Sequence, residues 1–526
     1  MFSSAFLLLV DYDHVTRSDP VTNSIYSSIA AKGKDFLCLD NGLKSRYVFN
    51  TCIPILVFED ACRKLIFTLQ NERYMETPMS HTQHEIHLSD HFGYGHLLRY
   101  TLPSIVMMIF TSIYSVVDGF FVSNFAGKAA FTAVNFIMPV LLILGCVGFM
   151  FGTGGGALIA MTMGMGDKKR ANEQFSMLVY VSIAIGVLLA VLGIAFLPQI
   201  AQALGAEGEL LENSVLYGRI ITLAVPAYIL QYEFQCLFAT AEKPRLGLIV
   251  TVAAGLTNMV LDAVLVGVFG MGLVGAAAAT AISQCVGGVI PLVYFADKRN
   301  DSRLHLVAAP LRLDDLGKAC LNGSSELMSN IAMSLVGMLY NAQLLRYIGQ
   351  DGVAAYGVLM YVSMIFQAIF IGYAVGCAPV VSYHYGAGTE GELHSLLQKS
   401  LKIICITAVA MFAAAELLAG PLARIFVSYD AELLELTRHA FYLYSFSFLL
   451  SGFSIYGSSF FTALNNGLIS ALISFLRTLL FQCAAVWLLP LMIGVDGIWI
   501  SIPIAELLAI AVTAYFLITK RSQYHY

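Results

Sequence analysis

The stretch LPSIVMMIFTSIYSVVDGFFVSNFAG, from Leu102 to Gly127, decides the fold class. It carries one charged residue, Asp118, in a run long enough to cross a hydrocarbon core of about 30 Å as a helix. The whole chain has the same character. Of its 526 residues, 58% are hydrophobic and 12% are charged, whereas soluble domains have about 25% charged residues. The sequence therefore predicts a polytopic membrane protein.

Working outward from this stretch, apolar segments recur along the chain. They predict an all-α protein with twelve transmembrane helices, at roughly 97–124, 131–163, 174–197, 214–240, 246–269, 271–296, 317–347, 354–384, 396–420, 435–462, 468–491 and 495–519. Several segments exceed the minimum length for a span, which is typical of helices that tilt or extend beyond the bilayer.

Charge distribution gives the orientation and excludes some partners. The net charge of −5 shows no basic surplus, so no nucleic-acid partner is expected. Positive residues concentrate in loops 167–170, 242–245 and 297–303 and at Lys520 and Arg521, which places these loops and both termini in the cytoplasm. The cysteines are scattered and form no Cys/His cluster, so no metal site is predicted.

An internal repeat divides the chain. Gly127 and Gly349 are 222 residues apart, and the same offset pairs Gly154 with Gly376 and Gly164 with Gly386. Two parallel repeats of six helices are typical of alternating-access transporters. We expect an N-terminal six-helix bundle at 95–300, a cytoplasmic linker at 301–316, a C-terminal six-helix bundle at 317–520 and a tail at 521–526.

Residues 1–94 are predicted to be an N-terminal extension, to which no role is assigned. Their apolar opening is too short to span a membrane and lacks the basic flank of a signal peptide. The segment SHTQHEIHLSDHF before the first helix is interpreted as a polar cytoplasmic tail.

Ionisable side chains within spanning segments are costly, so each is a functional candidate. Asp118 and Asp262 lie at similar depths in predicted helices 1 and 5. Asn258 shares a helical face with Asp262, and Thr280 lies in the outer half of helix 6. Such oxygen-rich groups suit a hard monovalent cation or a proton. The alternative is that these groups only hydrogen-bond between helices.

Four other ionisable residues lie in the spans. Glu326, near the start of helix 7, is a candidate to face a cavity and receive cationic substrates, with a structural role as the alternative. Glu233, Arg477 and Glu506 are interpreted as residues that neighbouring helices satisfy or that extend towards an interface. The glycine run 152–157 lacks the Lys and Ser/Thr of a phosphate loop. No other ATPase signature is present, so energy is expected from an ion gradient or from a partner.

Several blocks resemble the multidrug and toxic compound extrusion (MATE) family. They are the opening stretch from Leu102 to Gly127, MGMGDKKRA at 163–171, NMVLDAVLV at 258–266, APVVSYHYGAG at 378–388 and GVDGIWISIPIAELL at 494–508. The resemblance covers residues 95–520. Glu326 makes the chain similar to the bacterial MepA-type branch.

The resemblance implies a V-shaped pair of six-helix bundles that exports cationic, amphipathic drugs in exchange for H⁺ or Na⁺. It implies ion coupling at Asp118, Asn258, Asp262 and Thr280, with Gln235 as a further candidate, and a helix bend at Pro103. Gln235, Glu326 and Glu233 are candidates for a substrate or cavity role. Two departures limit it: helix 10 has no acidic residue, and His384 replaces an Asn of the motif after helix 8.

The sequence thus predicts a multidrug efflux antiporter of the plasma membrane, a bacterial inner membrane. No enzyme activity and no cofactor other than the coupling ion are expected. The expected partners are small cationic drugs and membrane lipids, and the protein is expected to be a monomer. The alternative is a flippase for lipid-linked oligosaccharides, which would need several cavity Arg or Lys residues for phosphate.

Overall fold

The computed structural model describes residues 86–427 and 430–526. The predicted N-terminal extension lies outside the described residues up to residue 85. The described chain consists of helices joined by short turns, except for a longer non-helical connection at residues 297–312. In order, the long helices are α1 Tyr94–Ala126, α2 Ala129–Gly164, α3 Lys168–Ala203, α4 Gly208–Leu223 and Val225–Thr240, α5 Pro244–Val268, α6 Gly272–Ala296, α7 Leu313–Tyr347, α8 Gln350–Gly386, α9 Glu390–Val427, α10 Ala431–Tyr444 and Phe446–Ala463, α11 Gly467–Ile493 and α12 Asp496–Thr519.

Nine of these helices in the described part of the chain are long and apolar enough to cross a membrane. The two pieces of α4, bent by 59°, make a tenth if they are counted as one span. The two remaining helices, α7 and α10, have local reasons for falling short. The interior of α7 contains the polar residues Asn322, Glu326 and Asn330. In α10, Ser445 separates two pieces, and the second piece contains five serines.

Each half of the chain has its own hydrophobic core. In the N-terminal bundle, α1–α6, the core gathers around the buried side chains of Ile137, Leu197 and Tyr217. In the C-terminal bundle, α7–α12, it gathers around Phe441 and Trp499. Helix α7 begins at Leu313, within the range predicted to be a linker.

The backbone repeats at the predicted offset of 222 residues. Gly127 and Gly349 begin α2 and α8 with φ of 90° and 91°. Gly166 and Gly388 follow the same two helices with φ of 85° and 67°. Only glycine adopts this left-handed region readily. The two halves therefore use the same turns at equivalent positions.

The bundles meet through backbones packed so closely that side chains are excluded. A Cβ added to Gly164 would lie 2.0 Å from the Tyr383 carbonyl oxygen, and a Cβ on Gly386 would lie 2.0 Å from the Met161 carbonyl oxygen. The offset of 222 turns the first contact into the second, so the interface is reciprocal, as in a two-fold dimer. We call this region the glycine seam. It consists of Gly154, Gly164, Gly323, Gly372, Gly376 and Gly386.

Residues 86–93, the N-terminal strap, connect the two bundles beside the seam. Glu242, between α4 and α5, accepts hydrogen bonds from the His87 ring (2.8 Å) and the Leu88 amide (2.9 Å). Glu392, at the start of α9, accepts them from the His91 ring (2.6 Å) and the Phe92 amide (2.9 Å).

The strap is also anchored by apolar packing, since the side chains of Leu88 and Phe92 are fully buried. This part of the segment predicted to be a polar tail is therefore packed on the helical body. The prediction of a polar tail was wrong here because Leu88 and Phe92 stand singly among polar residues and form no apolar run that the sequence would show.

Candidate functional site

Four predicted ion-coupling residues come together inside the N-terminal bundle. Asp118 of α1 is in side-chain contact with Asp262 and Asn258 of α5 and with Thr280 of α6. The Asn258 amide donates to the Thr280 hydroxyl at 3.5 Å. Asp262 is completely buried and begins a π-helical segment, Asp262–Val268. Such irregular turns are frequent at functional sites.

The acceptors of this cluster are not satisfied by the described protein groups. Both carboxylate oxygens of Asp262, Oδ1 of Asp118 and Oδ1 of Asn258 are buried without a hydrogen-bond partner. Ionised carboxylates only accept hydrogen bonds, so two of them in contact are stable together only with a proton or a cation between them. The donor set is carboxylate, amide and hydroxyl oxygen, which fits a proton or a hard monovalent cation.

Tyr217 extends this cluster and was not identified from the sequence. Its side chain is fully buried in the first piece of α4. Its hydroxyl faces Thr280, lies within electrostatic range of both carboxylates and has no hydrogen-bond partner among the described residues. A tyrosine in an amphipathic stretch before a bend carries no distinguishing signal, because the bend decides which face points inward.

The equivalent position of the C-terminal bundle carries no carboxylate. The offset of 222 places Tyr340 where Asp118 stands in the first half. Tyr340 is buried, hydrogen-bonds to Ser501 and stacks on Tyr356 with a centroid distance of 5.2 Å. The two halves thus share a backbone, but only the first presents a carboxylate at this position.

A separate cavity of about 170 Å³ lies where the two bundles meet. Its walls include Gly152 and Thr240 from the N-terminal bundle and Gln367 from the C-terminal bundle. Along α7 the lining runs from Glu326 to Gly337, away from the seam residue Gly323. A cavity at the junction of two repeats is where secondary transporters bind their substrates.

The structure separates the three residues predicted to line a cavity. Glu326 lines the central cavity, together with Arg477 and Glu506. Gln235 and Glu233 do not line it. Both are buried in the second piece of α4 with side-chain oxygens that have no hydrogen-bond partner, and Glu233 faces Ser182 of α3.

Pro103 is buried within α1, which continues as a helix across it. It lies beside the seam, because Gly372 of α8 packs against the adjoining residues Ser104 and Ile105. A bend at Pro103 stays a prediction. His384, which departs from the family motif, is buried at the end of α8 and hydrogen-bonds to Thr389 at 2.8 Å.

Comparison with known proteins shows which family has this architecture. The MatE family model matches the chain twice, over residues 103–264 and 327–488, once in each half. The multidrug export protein MepA of Staphylococcus aureus strain MSSA476 is 24% identical over 410 residues, which are 78% of this chain and 90% of MepA. MepA of Staphylococcus haemolyticus is 24% identical over 60% of this chain and 69% of its own length.

Solved structures show the same fold. An outward-facing multidrug resistance MATE family transporter superposes with a TM-score of 0.79 at 22% identity, covering 85% of this chain and 99% of its own. A MATE protein in complex with MaL6 gives a TM-score of 0.78 at 21% identity, covering 82% and 98%. The predicted fold class, twelve helices in two bundles, is thereby confirmed. The predicted resemblance is confirmed as well, and the chain belongs to the MatE family of membrane transporters.

Proposed function

We propose that this chain is a multidrug efflux antiporter that exchanges H⁺ or Na⁺ for cationic, amphipathic compounds by alternating access. The observation that carries the proposal is the contact between the buried carboxylates of Asp118 and Asp262. Two carboxylates in a low-dielectric bundle favour the binding of one positive charge. The names of the MepA relatives support drug export as the transported class.

The ion and the substrate occupy different places in this scheme. The ion binds at Asp118, Asn258, Asp262 and Thr280, and the drug binds in the central cavity beside Glu326. Closure of the glycine seam on one side and opening on the other then exchanges them across the membrane. The protein acts as a monomer in the bacterial plasma membrane, with both termini and the strap in the cytoplasm.

The lipid-flippase alternative is less well supported. Among the described residues that line the cavity, Arg477 is the only cation, and its guanidinium is hydrogen-bonded to Glu506 at 2.9 Å. A phosphate group would compete with that carboxylate.

The test is ethidium efflux from proteoliposomes under an imposed pH gradient or an imposed Na⁺ gradient. Wild type is compared with Asp118→Asn, Asp262→Asn and the control Asp314→Asn, which changes an exposed residue of α7. We expect one gradient to drive efflux in wild type and in the control, and neither gradient to drive it in the two site variants. Wild-type efflux by Asp262→Asn at equal protein level would contradict the proposal.

A further inference from the structure

The central cavity has few charged residues in its lining, and acidic residues outnumber basic ones. Among the described residues that line it, only Glu326 of α7, Arg477 of α11 and Glu506 of α12 are charged. With all three ionised, their sum is one negative charge. How these three side chains pair therefore determines where that negative charge lies.

Arg477 forms an ion pair with Glu506. Its Nε lies 2.9 Å from both carboxylate oxygens of Glu506, and its Nη2 lies 2.8 Å from Oε1. The side chains are 12% and 2% exposed. Hydrogen bonds between ionised partners are the strong ones, and arginine stays charged in proteins. In the structure, the only cation among the described lining residues is therefore paired with Glu506.

Glu326 is left without such a partner. No described residue forms an ion pair or a hydrogen bond with its carboxylate, although Arg477 lies within electrostatic range. Its side chain faces the cavity and is partly exposed there. When all three groups are ionised, the negative charge without an ion-pair partner therefore lies on Glu326, at the surface that a substrate meets.

We propose that Glu506 determines the charge selectivity of the cavity by holding Arg477 away from Glu326. This inference rests on the proposed export of cations and names a residue that sets their recognition. Without Glu506, Glu326 is the remaining carboxylate for Arg477, and the cavity becomes neutral. Glu506 acts through Arg477 and need not touch the substrate, so it is a positioning residue.

The proposal is tested by binding of tetraphenylphosphonium to the purified full chain in nanodiscs. This cation has no hydrogen-bond donor, so its binding reports charge. We expect Glu506→Gln to weaken binding roughly tenfold or more, the value of one charged hydrogen bond. Glu326→Gln should give a similar loss, and the control Glu435→Gln, on the exposed face of α10, should give none.

The double variant Arg477→Gln/Glu506→Gln separates this role from a structural one. It removes both members of the pair and restores one net negative charge on Glu326, so we expect tetraphenylphosphonium binding to recover from the level of Glu506→Gln. A double variant that binds no better than Glu506→Gln would overturn the proposal, as would a folded Glu506→Gln protein with wild-type affinity.

A third variant covers the case in which Glu506→Gln does not fold, since a lone buried arginine is destabilising. Arg477→Gln leaves two negative charges in the cavity. We expect it to favour a bis-quaternary ammonium compound over tetraphenylphosphonium, relative to wild type, and an unchanged preference would refute the inference. If the wild-type protein binds neither cation, the proposed export of cations is contradicted. If the wild-type protein binds them and these variants bind them equally well, only the role of Glu506 is contradicted.

Discussion

The carboxylate of Asp118 on α1 contacts the carboxylate of Asp262 on α5, and the oxygens they leave over meet no donor among the described residues. A buried polar group without a partner costs free energy comparable to a lost hydrogen bond or more. The two carboxylates in contact therefore favour the binding of a positive charge. Mutation of the groups around them is expected to change the affinity for that charge.

Thr280→Val should weaken binding of the coupling ion. The substitution keeps the shape of the side chain but removes the hydroxyl that contacts Asp118 and lies 3.5 Å from the Asn258 amide. Loss of one neutral hydrogen-bonding group predicts a roughly fivefold higher ion concentration for half-maximal ethidium efflux. Thr257→Val is the matched control, because its hydroxyl bonds to the Ala253 carbonyl of its own helix at 2.7 Å. Equal ion dependence in the two variants would argue against a role for Thr280.

Tyr217→Phe should change ion dependence while leaving the fold intact. The ring stays in the core of the N-terminal bundle, and only the hydroxyl next to Thr280 is lost. We expect a several-fold change in the half-saturating ion concentration with unchanged thermal stability in detergent. Tyr515→Phe, at an exposed position of α12, should change neither. If Tyr217→Phe lowers stability alone, its hydroxyl is structural.

Gly386→Ala should shift the conformational equilibrium away from the closed seam. The added methyl group would lie 2.0 Å from the Met161 carbonyl oxygen, so the bundles must separate there. Overpacking of this kind costs about 1–3 kcal/mol, which corresponds to roughly a tenfold or larger change in the ratio of states. Electron–electron distance measurements between spin labels at Lys169 and Glu390 should show the longer distance gaining population.

The control for this experiment is Gly391→Ala, since a methyl group there meets nothing within 4 Å. An unchanged distance distribution in Gly386→Ala would mean that the backbone around Gly386 shifts locally to accept the methyl group and that the bundles do not move apart. This result would contradict the prediction.

Glu392→Ala should loosen the N-terminal strap. It removes the carboxylate on the C-terminal bundle that accepts hydrogen bonds from the Phe92 amide and the His91 ring of the strap. We expect the Phe92 amide to exchange hydrogen roughly tenfold faster, in line with the loss of a hydrogen bond to a charged group. Hydrogen exchange read by mass spectrometry measures this. The neighbouring exposed residue supplies the control Glu390→Ala. Equal exchange in both variants would show that the strap is held without Glu392, by the packing of Phe92 and by the Lys399 ammonium, which donates to the Phe92 carbonyl oxygen.

The sequence predicted the cluster of Asp118, Asp262 and Thr280 because depth in a membrane can be counted along a helix. Asp118, Asp262 and Thr280 were predicted to converge from their distances to helix ends, and the structure brings them together. The repeat was equally visible, since the turn glycines Gly127 and Gly349 recur at one offset.

The orientation of side chains beyond an irregular turn could not be predicted from the sequence. The 59° bend in α4 separates Tyr217, which joins the cluster, from Glu233 and Gln235, which lie away from the central cavity. Arg477 stands in the π-helical segment Leu476–Phe481, where a helical wheel does not predict its partner Glu506. The prediction that a neighbouring helix satisfies Arg477 was confirmed, whereas Glu233 has no partner for its carboxylate oxygens.

The N-terminal strap limits how far the bundles can move apart. Between Leu88, bound to the Glu242 side of the molecule, and Phe92, bound to Glu392, the chain is four residues long. Fully extended, such a segment reaches about 14 Å. While both attachments hold, the strap works as a tether of fixed length. Any wider separation on this side must first break one attachment, so the weaker of the two attachments, each a carboxylate contact together with a buried apolar side chain, determines the force at which the strap detaches.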